Sequence, residues 1–338
     1  MTATIADVAA RAGVSTATVS RVLAGLGGAR PETKARVLEA ARALDYRPSE
    51  VARSLKRRST QTLGLVITDI ENPYFPQLVR SVEDAARALG YTVLLCSAAD
   101  DPEREAAYLD LLADRRVDGL IIASSSLGVR HAAWLASPPV PVVLVNTAAP
   151  DVGLPAIMSD NEGGGRMAAE HLLELGHRRF GYLMPPPRNV DAPARLSGVR
   201  SALTAAGLDT SALTIARGDP LVPGGEAATL DILDRAPDTT AFLAYNDLMA
   251  IGALRALRQR HRPVPATASV VGFDDVALAA YVDPPLTTIA QRTEAMGRWA
   301  VARLTGDGVG AASAASATSV RLPVDLQVRE SSGPAPAR

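Results

Sequence analysis

The stretch Thr4–Leu23, TIADVAARAGVSTATVSRVL, is the part of the sequence from which the rest is best interpreted. Ile5, Val8 and Ala9 recur at helical spacing, and a Gly-Val pair then interrupts the pattern. A second helix is predicted from Ser15, with apolar residues at positions 19, 22 and 23 on its buried side. Two helices joined by a tight glycine-containing turn form a helix-turn-helix unit, whose second helix lies in the DNA major groove.

The polar side of the second predicted helix carries the residues that could contact DNA. They are Thr16, Ala17, Ser20 and Arg21. The charge of the N-terminal segment also suits DNA binding. Residues 1–60 hold 11 Lys and Arg against 5 Asp and Glu. The rest of the chain holds 24 basic residues against 31 acidic ones. A basic N-terminal segment on an acidic body indicates a nucleic-acid-binding headpiece, although a solvated charged face would show the same balance.

A third helix is predicted over Pro31–Leu44, because proline suits a first helical turn and an apolar stripe follows it. Tyr46-Arg47-Pro48 ends this helix, since the residue before proline avoids the helical region. Ser49–Leu55 follows and is too short for a stable isolated helix. Together with the basic residues at 56–60, it is typical of a linker that becomes ordered only when bound.

Composition excludes several classes of protein. No apolar signal core begins the chain, and no run approaches the about 18 residues of a membrane span. Cys96, the single cysteine, lies in an apolar run and is expected to be a reduced core residue. The four histidines lack metal-ligand spacing and are expected to be structural or exposed. We therefore expect a cytoplasmic protein without a metal or cofactor.

From position 61 the pattern becomes βαβ. Apolar runs predict strands at Leu63–Ile67, Val93–Leu95, Leu120–Ala123, Val140–Val145, Phe180–Met184, Ala241–Ala244 and Ser269–Val271. Helical stretches alternate with them, such as Gln77–Leu89 with Leu78, Val82, Ala85 and Leu89 on one face. Such runs indicate strands covered on both faces, in parallel sheets. The number of strands favours two α/β lobes.

Polar residues follow these strands, where ligands of parallel sheets bind. They are Asp69, Asn72, Ser97, Ser124, Asn146, Tyr245-Asn246-Asp247 and Phe273-Asp274-Asp275. Carboxylates and amides suit adjacent hydroxyl groups, so a cleft built from them favours a sugar or another polyol. The alternative for each residue is that Asp and Asn simply form turns at strand ends.

Three further stretches are interpreted structurally. Gly163-Gly164-Gly165 lacks the spacing of a phosphate-binding loop and is expected to be a flexible helix entry. The stretch at 305–318 is rich in Gly, Ala and Ser and is expected to be a loop, and 331–338 a frayed tail. No C-terminal leucine heptad is present that would join dimers into tetramers.

These features together resemble the LacI family of transcriptional regulators, the group of the lactose and purine repressors. The resemblance extends from about Thr4 to Glu330. Its most specific parts are TIADVAARAGVSTATVSRVL, YRPSEVARSLKRRST, ENPYF, RVDGLII, RLSGV, YND, GFDD and PPLTTIAQ, in that order. It implies an all-α helix-turn-helix headpiece and an α/β body of two lobes, like a periplasmic binding protein.

The resemblance implies a role for each residue of the headpiece that matches the family pattern. Thr16, Ala17 and Arg21 are expected to read base edges, since arginine can hold guanine bidentately; a phosphate contact is the alternative for Arg21. Ser15 and Ser20 suit phosphate contacts. Arg30 stands where the family has a helix-capping Ser or Asn and could contact phosphate instead, and Ala24 replaces a phosphate-binding asparagine.

The resemblance also implies a DNA-contacting hinge. Its residues here are Ala52, Leu55 and Lys56. Leu55 matches a leucine that wedges into the minor groove beside its dimer mate, and the bent DNA then contacts more protein. Outside this family a leucine at that position would more often be a packing residue.

The effector site implied by the resemblance combines residues of both lobes: Tyr74, Phe75, Asn146, Asp160, Arg195, Asn246, Asp274 and Gln291. Phe75 would stack on the apolar face of a sugar ring. Arg195, Asn246 and Asp274 would bond its hydroxyls. Asn146 replaces an aspartate common at that position, so one acceptor charge is missing. Packing within the lobe is the alternative role of Tyr74 and Phe75.

The predicted domains follow from three chain crossings near Asp160, Ala290 and Ser319. They are a headpiece (1–48), a hinge and linker (49–60), an N-terminal lobe (61–160 plus 291–319), a C-terminal lobe (161–290 plus 320–331) and a tail (332–338). The predicted partners are pseudo-palindromic double-stranded DNA, a small effector such as a sugar, and a second copy of the chain. Two alternatives are a sugar-binding protein without a DNA role and a nucleotide- or sugar-dependent enzyme.

Overall fold

The computed structural model describes residues 3–23, 25, 28–46, 59–123, 129–147, 153–187, 189–306 and 319–337. The chain divides into two compact units, Met1–Gln61 and Thr62–Arg338. Several predicted features lie outside the described residues: Ala24, the 49–55 hinge with Ala52 and Leu55, Lys56, Ser124 and most of the 305–318 loop.

The described part of the first unit contains three helices, α1 (Ile5–Ala12), α2 (Thr16–Leu23) and α3 (Pro31–Ala43). Thr4 and Asp7 close the α1 N-terminus as a capping box, with the Thr4 N–H donating to Asp7 at 2.8 Å. Gly13 ends α1 with a φ of 63°, which makes the tight turn. Val8, Val19 and Val37 meet in a small core that joins the helices. The predicted helix-turn-helix and third helix are confirmed.

The second unit is built from strands and helices in alternation. Its strands are β1 (Thr62–Ile67), β2 (Thr92–Ser97), β3 (Gly119–Ala123), β4 (Val142–Val145), β5 (Ala156–Ser159), β6 (Phe180–Met184), β7 (Leu213–Arg217), β8 (Ala241–Ala244), β9 (Ser269–Asp274), β10 (Thr287–Ala290), β11 (Ser319–Leu322) and β12 (Asp325–Gln327). Its α-helices are α4 (Tyr74–Ala88), α5 (Pro102–Asp114), α6 (Val129–Ala136), α7 (Asn161–Glu174), α8 (Ala192–Ala205), α9 (Val222–Arg235), α10 (Asp247–Gln259) and α11 (Thr293–Thr305). Two short 3₁₀ helices, Thr210–Ala212 and Ala277–Ala280, complete the elements of the described residues.

These strands form two six-stranded sheets with equivalent strand orders. The first is β11-β5-β4-β3-β1-β2 and the second is β12-β10-β9-β8-β6-β7. All pairs are parallel except β10 with β12. Leu65 lies beside Leu95 on one side and Ile121 on the other, which sets the register of the first sheet. The predicted two-lobed α/β body is therefore confirmed, with one antiparallel edge strand.

The chain passes between the sheets at three places. It leaves the first sheet after β5 at Asp160, and it leaves the second sheet after β10 at Gln291. The third passage follows β11 at positions 323–324, not Ser319, because Ser319–Leu322 still pairs with β5. Residues 320–322 thus belong to the first sheet. β5, β7, β10, β11 and β12 are absent from the predicted strands because they are short or rich in polar residues.

Two expectations about burial are wrong in the first lobe. Leu94 and Leu95 of β2 are 41% and 42% exposed, because β2 is an edge strand and is not covered on both faces. Leu89 is also exposed, and Ala86 is buried in its place. The reason is that α4 ends at Ala88, so Leu89 departs from the helical periodicity. Cys96, in β2, is half-buried and free.

The C-terminal segment is not the predicted tail where it is described. Ser331 is fully buried, and its hydroxyl donates to the Val270 carbonyl at 2.6 Å. Farther along, the Gly333 N–H donates to Ser269 Oγ at 3.0 Å. The buried ring of His177 contacts both Ser269 and the Gly333 carbonyl. This segment lacks apolar periodicity, so its pattern does not reveal that its polar groups pair with the second sheet.

Candidate functional site

A cavity of about 290 Å³ lies between the two sheets at the carboxyl ends of their strands. The lining residues from the first sheet and its loops are Thr68, Asp69, Asn72, Tyr74, Phe75, Ala99, Asp100, Ala123, Val145 and Asn146. Those from the second are Asn189, Asp191, Arg195, Asp219, Pro220, Leu221, Tyr245, Asn246 and Asp274. Gln291 joins them from the second chain crossing. The structure thus brings together seven of the eight residues predicted for the effector site.

Arg195 is the most extensively bonded polar group of the cavity and is only 4% exposed. Its guanidinium donates to Asp191 Oδ2 at 2.7 Å and to Asn161 Oδ1 at 2.9 Å. It also donates to the Tyr245 carbonyl and lies 3.8 Å from Asp274 Oδ1. Within the described residues these hydrogen bonds use three of the five N–H groups of the guanidinium.

Close packing of two helices fixes the position of Arg195. A Cβ at Gly165 of α7 would lie 2.0 Å from the Arg195 carbonyl oxygen, and one at Gly198 of α8 would lie 1.9 Å from the Glu162 carbonyl oxygen. Only glycine permits such an approach of two backbones. Gly163-Gly164-Gly165 is therefore the buried first turn of α7 and not a flexible helix entry.

The aromatic ring of Phe273 supports the same guanidinium. Arg195 Cζ lies 3.7 Å from the centroid of the Phe273 ring, in cation–π contact. Gly164 makes room for this ring, because a Cβ there would lie 2.7 Å from it. The α7 glycines thus allow the Arg195 backbone to approach closely and the Phe273 ring to pack against the guanidinium.

Burial and charge oppose each other around this arginine. Burial disfavours its charge, but Asp191 and Asp274 outweigh that effect and raise the pKa of Arg195. Burial raises the pKa of Asp274 to about 7, against the opposing effects of Arg195 and Gln291. Burial and the neighbouring Asp274 raise the pKa of Asp247 as well. The second lobe therefore holds two carboxylates whose ionisation is disfavoured.

Gln291 connects the two lobes through a chain of hydrogen bonds. Its Nε2 donates to Asp274 Oδ1 at 2.6 Å, on the second sheet. Its Oε1 accepts from Ser159 Oγ at 2.6 Å and from Asn146 Nδ2 at 2.8 Å, on the first sheet. Asn146 Nδ2 also donates to the Tyr74 hydroxyl. One amide side chain thus bridges the lobes at the cavity wall.

Asn146 and Asn246 use their amides within the protein. Asn146 has a φ of 52°, and its Oδ1 accepts from the Ser159 N–H at 3.1 Å. Asn246 is 1% exposed and caps α10, with Oδ1 accepting from the Met249 N–H at 2.9 Å. Its Nδ2 donates to the Pro220 carbonyl at 2.9 Å. Both line the cavity, and both have a structural role there.

Tyr74 and Phe75 begin α4 and differ in burial. Tyr74 is 5% exposed and belongs to the core, as the alternative interpretation of this residue states. Burial raises the pKa of its hydroxyl. Phe75 is half-buried and packs edge-on to Tyr74, with ring centroids 5.3 Å apart. Phe75 is therefore the aromatic side chain with surface to offer a ligand.

Asp160 is the predicted effector residue that the structure does not bring to the cavity. Its carboxylate caps α7, accepting from the Gly163 N–H at 3.1 Å, and lies 3.8 Å from Arg321 Nη1. Asp160, the first residue after β5, is thus the N-cap of the next helix. Asp275, the second residue of an acidic pair, is also turned away and pairs with Arg329 at 2.6 Å.

Comparison with known proteins identifies the family. Residues 60–327 match the family described as periplasmic binding proteins and sugar binding domain of LacI family. Residues 4–49 match bacterial regulatory proteins, lacI family. The chain belongs to the LacI family. The resemblance stated from the sequence motifs is confirmed.

Relatives of this LacI-family chain are named as regulators. It is 38% identical over 286 residues to the HTH-type transcriptional regulator GalS of Salmonella typhimurium, covering 85% of this chain and 84% of GalS. It is 35% identical over 315 residues to the HTH-type transcriptional repressor CytR of Escherichia coli K12, covering 92% of each. The chain is therefore a helix-turn-helix transcriptional regulator with an effector-binding body, and not an enzyme.

Two solved structures show the same architecture. A lac repressor dimer bound to operator and the anti-inducer ONPF is 30% identical, with a TM-score of 0.86 over 98% of this chain and 100% of that one. A complex of the transcriptional regulator CelR with cellobiose is 34% identical, with a TM-score of 0.72 over 97% of this chain and 99% of that one.

The LacI-family headpiece presents most of its predicted DNA contacts to solvent. Ser15, Thr16, Ala17 and Arg21 are exposed, whereas Ser20 is half-buried. The Ser15 hydroxyl caps α2 by accepting from the Thr18 N–H at 3.2 Å, so it already has a structural partner. Arg30 is exposed and precedes α3 without a side-chain cap, as its departure from the family pattern implies.

Several cavity residues are missed by the site prediction. They are Thr68, Asp100, Asn189, Asp191 and Asp219. Asp191 could be found from its spacing, because an acid four residues before Arg195 on a helix forms an i,i+4 pair. Asp69, Asn72 and Tyr245 line the cavity as the strand-end rule predicts. Asp219 follows β7, which the apolar pattern does not predict.

Metal and membrane sites are absent from the parts of the chain that the structure describes. No group of three His, Cys, Asp or Glu side chains there is arranged to hold a metal ion. No described helix has the length and apolar character needed to cross a membrane. His131 and His177 are buried, and His261 is exposed.

Proposed function

We propose that this LacI-family regulator is a homodimeric repressor that acts in the cytoplasm and binds a pseudo-palindromic operator. Its affinity for the operator is set by a sugar-type effector bound between the two lobes. The lac repressor structure, with its dimer on operator DNA, supports the first part. The complex of CelR with cellobiose supports the second.

The effector class rests on the donor and acceptor set of the cavity. The Arg195 guanidinium supplies N–H donors at the cavity, and the Asp274 carboxylate lies beside it. A donor next to an acceptor matches adjacent hydroxyls, which both donate and accept. Phe75 supplies an aromatic surface suited to the C–H face of a sugar ring. This pairing of Arg195 with Asp274 is the observation that carries the proposal.

The Gln291 bridge supplies a route from the effector to the lobes. Asp274 is both a proposed effector contact and a hydrogen-bond acceptor of Gln291. A sugar hydroxyl that bonds Asp274 competes with Gln291, so it changes the connection to Asn146 and Ser159 on the first sheet. An effector shifts operator affinity only through its different affinities for two lobe arrangements. Through the Gln291 bridge, the effector could therefore either weaken or strengthen operator binding.

A thermal-shift panel of sugars and nucleobases tests the effector class on the full chain. A ligand at 100 times its dissociation constant stabilises the protein by about 2.7 kcal/mol. We expect a sugar to raise the unfolding temperature and the nucleobases to leave it unchanged. Stabilisation by a nucleobase alone would contradict the proposal.

DNA reading is tested with Arg21→Ala, measured by fluorescence anisotropy on DNA of the protein's own promoter region. Loss of a bidentate guanine contact is expected to weaken specific binding about 10- to 100-fold and to relax specificity at one base pair. Arg42→Ala removes the same charge from an exposed position of α3 and is the control. Equal losses for both variants would show that Arg21 contributes charge and not base reading.

A further inference from the structure

The lining of the candidate cavity is strongly acidic. Its ionisable acids and bases, among the described residues, are five carboxyl groups and one guanidinium: Asp69, Asp100, Asp191, Asp219, Asp274 and Arg195. With Asp274 protonated and a second cation supplied from outside these residues, the carboxylates would still be in excess by two. The excess exceeds that of the whole protein, whose formal net charge is −1. The acidity is therefore a property of this cavity.

The single cation is already neutralised. Arg195 lies 2.7 Å from Asp191, which neutralises its charge, and 3.8 Å from Asp274, which adds to this when it is ionised. An arginine paired in this way still donates hydrogen bonds, but it offers little net attraction to an anion. A phosphate or carboxylate group on a ligand would have to displace one of these acids or lie against them.

The other carboxylates surround the remaining space. Asp69 follows β1, Asp100 follows β2, and Asp219 follows β7, so they reach the cavity from both lobes. Asp69 accepts from the Glu71 N–H at 3.0 Å, which holds its loop. No basic side chain of the described residues forms an ion pair with Asp69 or Asp219.

We infer that the cavity selects its effector by charge: it takes uncharged or positively charged polyols, including amino sugars, and rejects phosphorylated and carboxylated ones. The inference rests on the proposed function and adds the charge of the ligand to it. Asp69 is half-buried and Asp219 is exposed, so solvent screens part of their charge. Several carboxylates around one cavity still repel an anion together, and one anionic group is expected to weaken binding about tenfold.

Matched ligand sets test this inference by calorimetric titration of the full-length protein. One set is glucose, glucosamine, glucuronate and glucose 6-phosphate, and equivalent sets are built on galactose, mannose and ribose. We expect the strongest binder of any set to be the neutral or aminated member. The anionic members of that set should bind at least about tenfold more weakly.

Charge-neutralised variants provide a second measurement. We define the affinity gap as the ratio of the affinity for the neutral sugar to the affinity for its phosphate ester. The double variant Asp69→Asn, Asp219→Asn should reduce this gap at least about threefold. Glu83→Gln, at an exposed position of α4, removes a charge away from the cavity and should leave the gap unchanged.

The possible outcomes separate this inference from the proposed function. If a phosphate ester binds as tightly as its neutral sugar, the charge selection is wrong while the polyol site stands. A gap that the double variant leaves unchanged would also overturn it. If no member of any set binds, the polyol assignment itself fails, and the charge selection fails with it.

Discussion

The two lobes have equivalent strand orders but supply different kinds of groups to the cavity. The second lobe contributes the buried charges, Arg195 and Asp274, which are 4% and 6% exposed. The first contributes an aromatic ring and an amide, Phe75 and Asn146, which are both half-buried. Its carboxylate Asp69 is half-buried as well. Equivalent topology thus places different chemistry on the two sides of one site.

The difference shows that topology determines where a ligand binds, whereas burial determines which groups are fixed in advance. The charges of the second lobe are held by hydrogen bonds and packing before any ligand arrives. Groups of the first lobe retain exposed surface and can adapt to a ligand. We therefore expect substitutions in the second lobe to affect folding and binding together, and those at Phe75 to affect binding alone.

Arg195→Met is expected to have the largest effect. It leaves Asp191 and Asp274 without their cation, and breaking a buried ion pair in this way costs about 3–5 kcal/mol. Denaturant unfolding should show this loss for the second unit, with sugar binding abolished. Arg200→Met, on the exposed side of the same helix, is the control and should be close to neutral. Equal stability of the two variants would contradict the claim that the charges of the second lobe are fixed before a ligand binds.

Asn146→Asp is expected to have the next largest effect, because it breaks the bridge between the lobes. An ionised carboxylate cannot donate to Gln291 Oε1, which keeps only its bond from Ser159 Oγ and then faces a second acceptor. The Tyr74 hydroxyl loses its donor and would have to donate to the carboxylate instead. The cost is about 1–3 kcal/mol of unfolding free energy. Asn146→Gly removes the amide but tolerates the φ of 52°, so it separates lost hydrogen bonds from introduced charge. An aspartate variant as stable as the wild type would show that the bridge contributes nothing.

Asp274→Asn should change the pH dependence of stability. Since the folded pKa is raised to about 7, the native state holds a proton that the unfolded state releases near 4. Wild-type stability from this group is present at low pH and is lost as the pH rises through 7, by on the order of 1 kcal/mol between pH 6 and 8. The variant should lack that loss in thermal unfolding over this range. If the stability of the wild type and of the variant changed with pH in the same way, the raised pKa of Asp274 would be contradicted.

Phe75→Ala should have the smallest effect on folding and a modest one on binding. The half-buried ring is expected to contribute about 0.5–1.5 kcal/mol to stacking, so sugar affinity should fall about 2- to 12-fold. Calorimetric titration measures the affinity, and thermal unfolding of the free protein should change little. A Phe75→Leu variant that retains full affinity would show that apolar area, and not the aromatic face, is what the ligand uses.

Much of the fold is predictable because its signals are local. The helical spacing of Ile5, Val8 and Ala9 predicts the first headpiece helix, and continuous apolar runs predict the central strands. Edge strands and the C-terminal segment escape prediction because their stability comes from distant partners. Ser331 is the clearest case, since its hydrogen bonds reach Val270 and Thr287.

The candidate site is predictable in its location and less so in its contacts. Polar residues after parallel strands converge at one edge, which places Asn146, Asn246 and Asp274 correctly. Asp160 comes only from the family resemblance, because the strand before it is not predicted, and its carboxylate caps α7. The resemblance does not separate a ligand contact from a helix cap, because an aspartate at the end of a strand can serve either role.

The central claim is that a sugar bound between the lobes controls operator affinity. The most direct measurement is the anisotropy of labelled promoter DNA titrated with the full-length protein, with and without the sugar that most stabilises it. We predict a change in operator affinity of at least about fivefold, in either direction. Phe75→Ala should shift the sugar concentration required for that change. Binding of the sugar in the cavity with operator affinity unchanged would contradict the account.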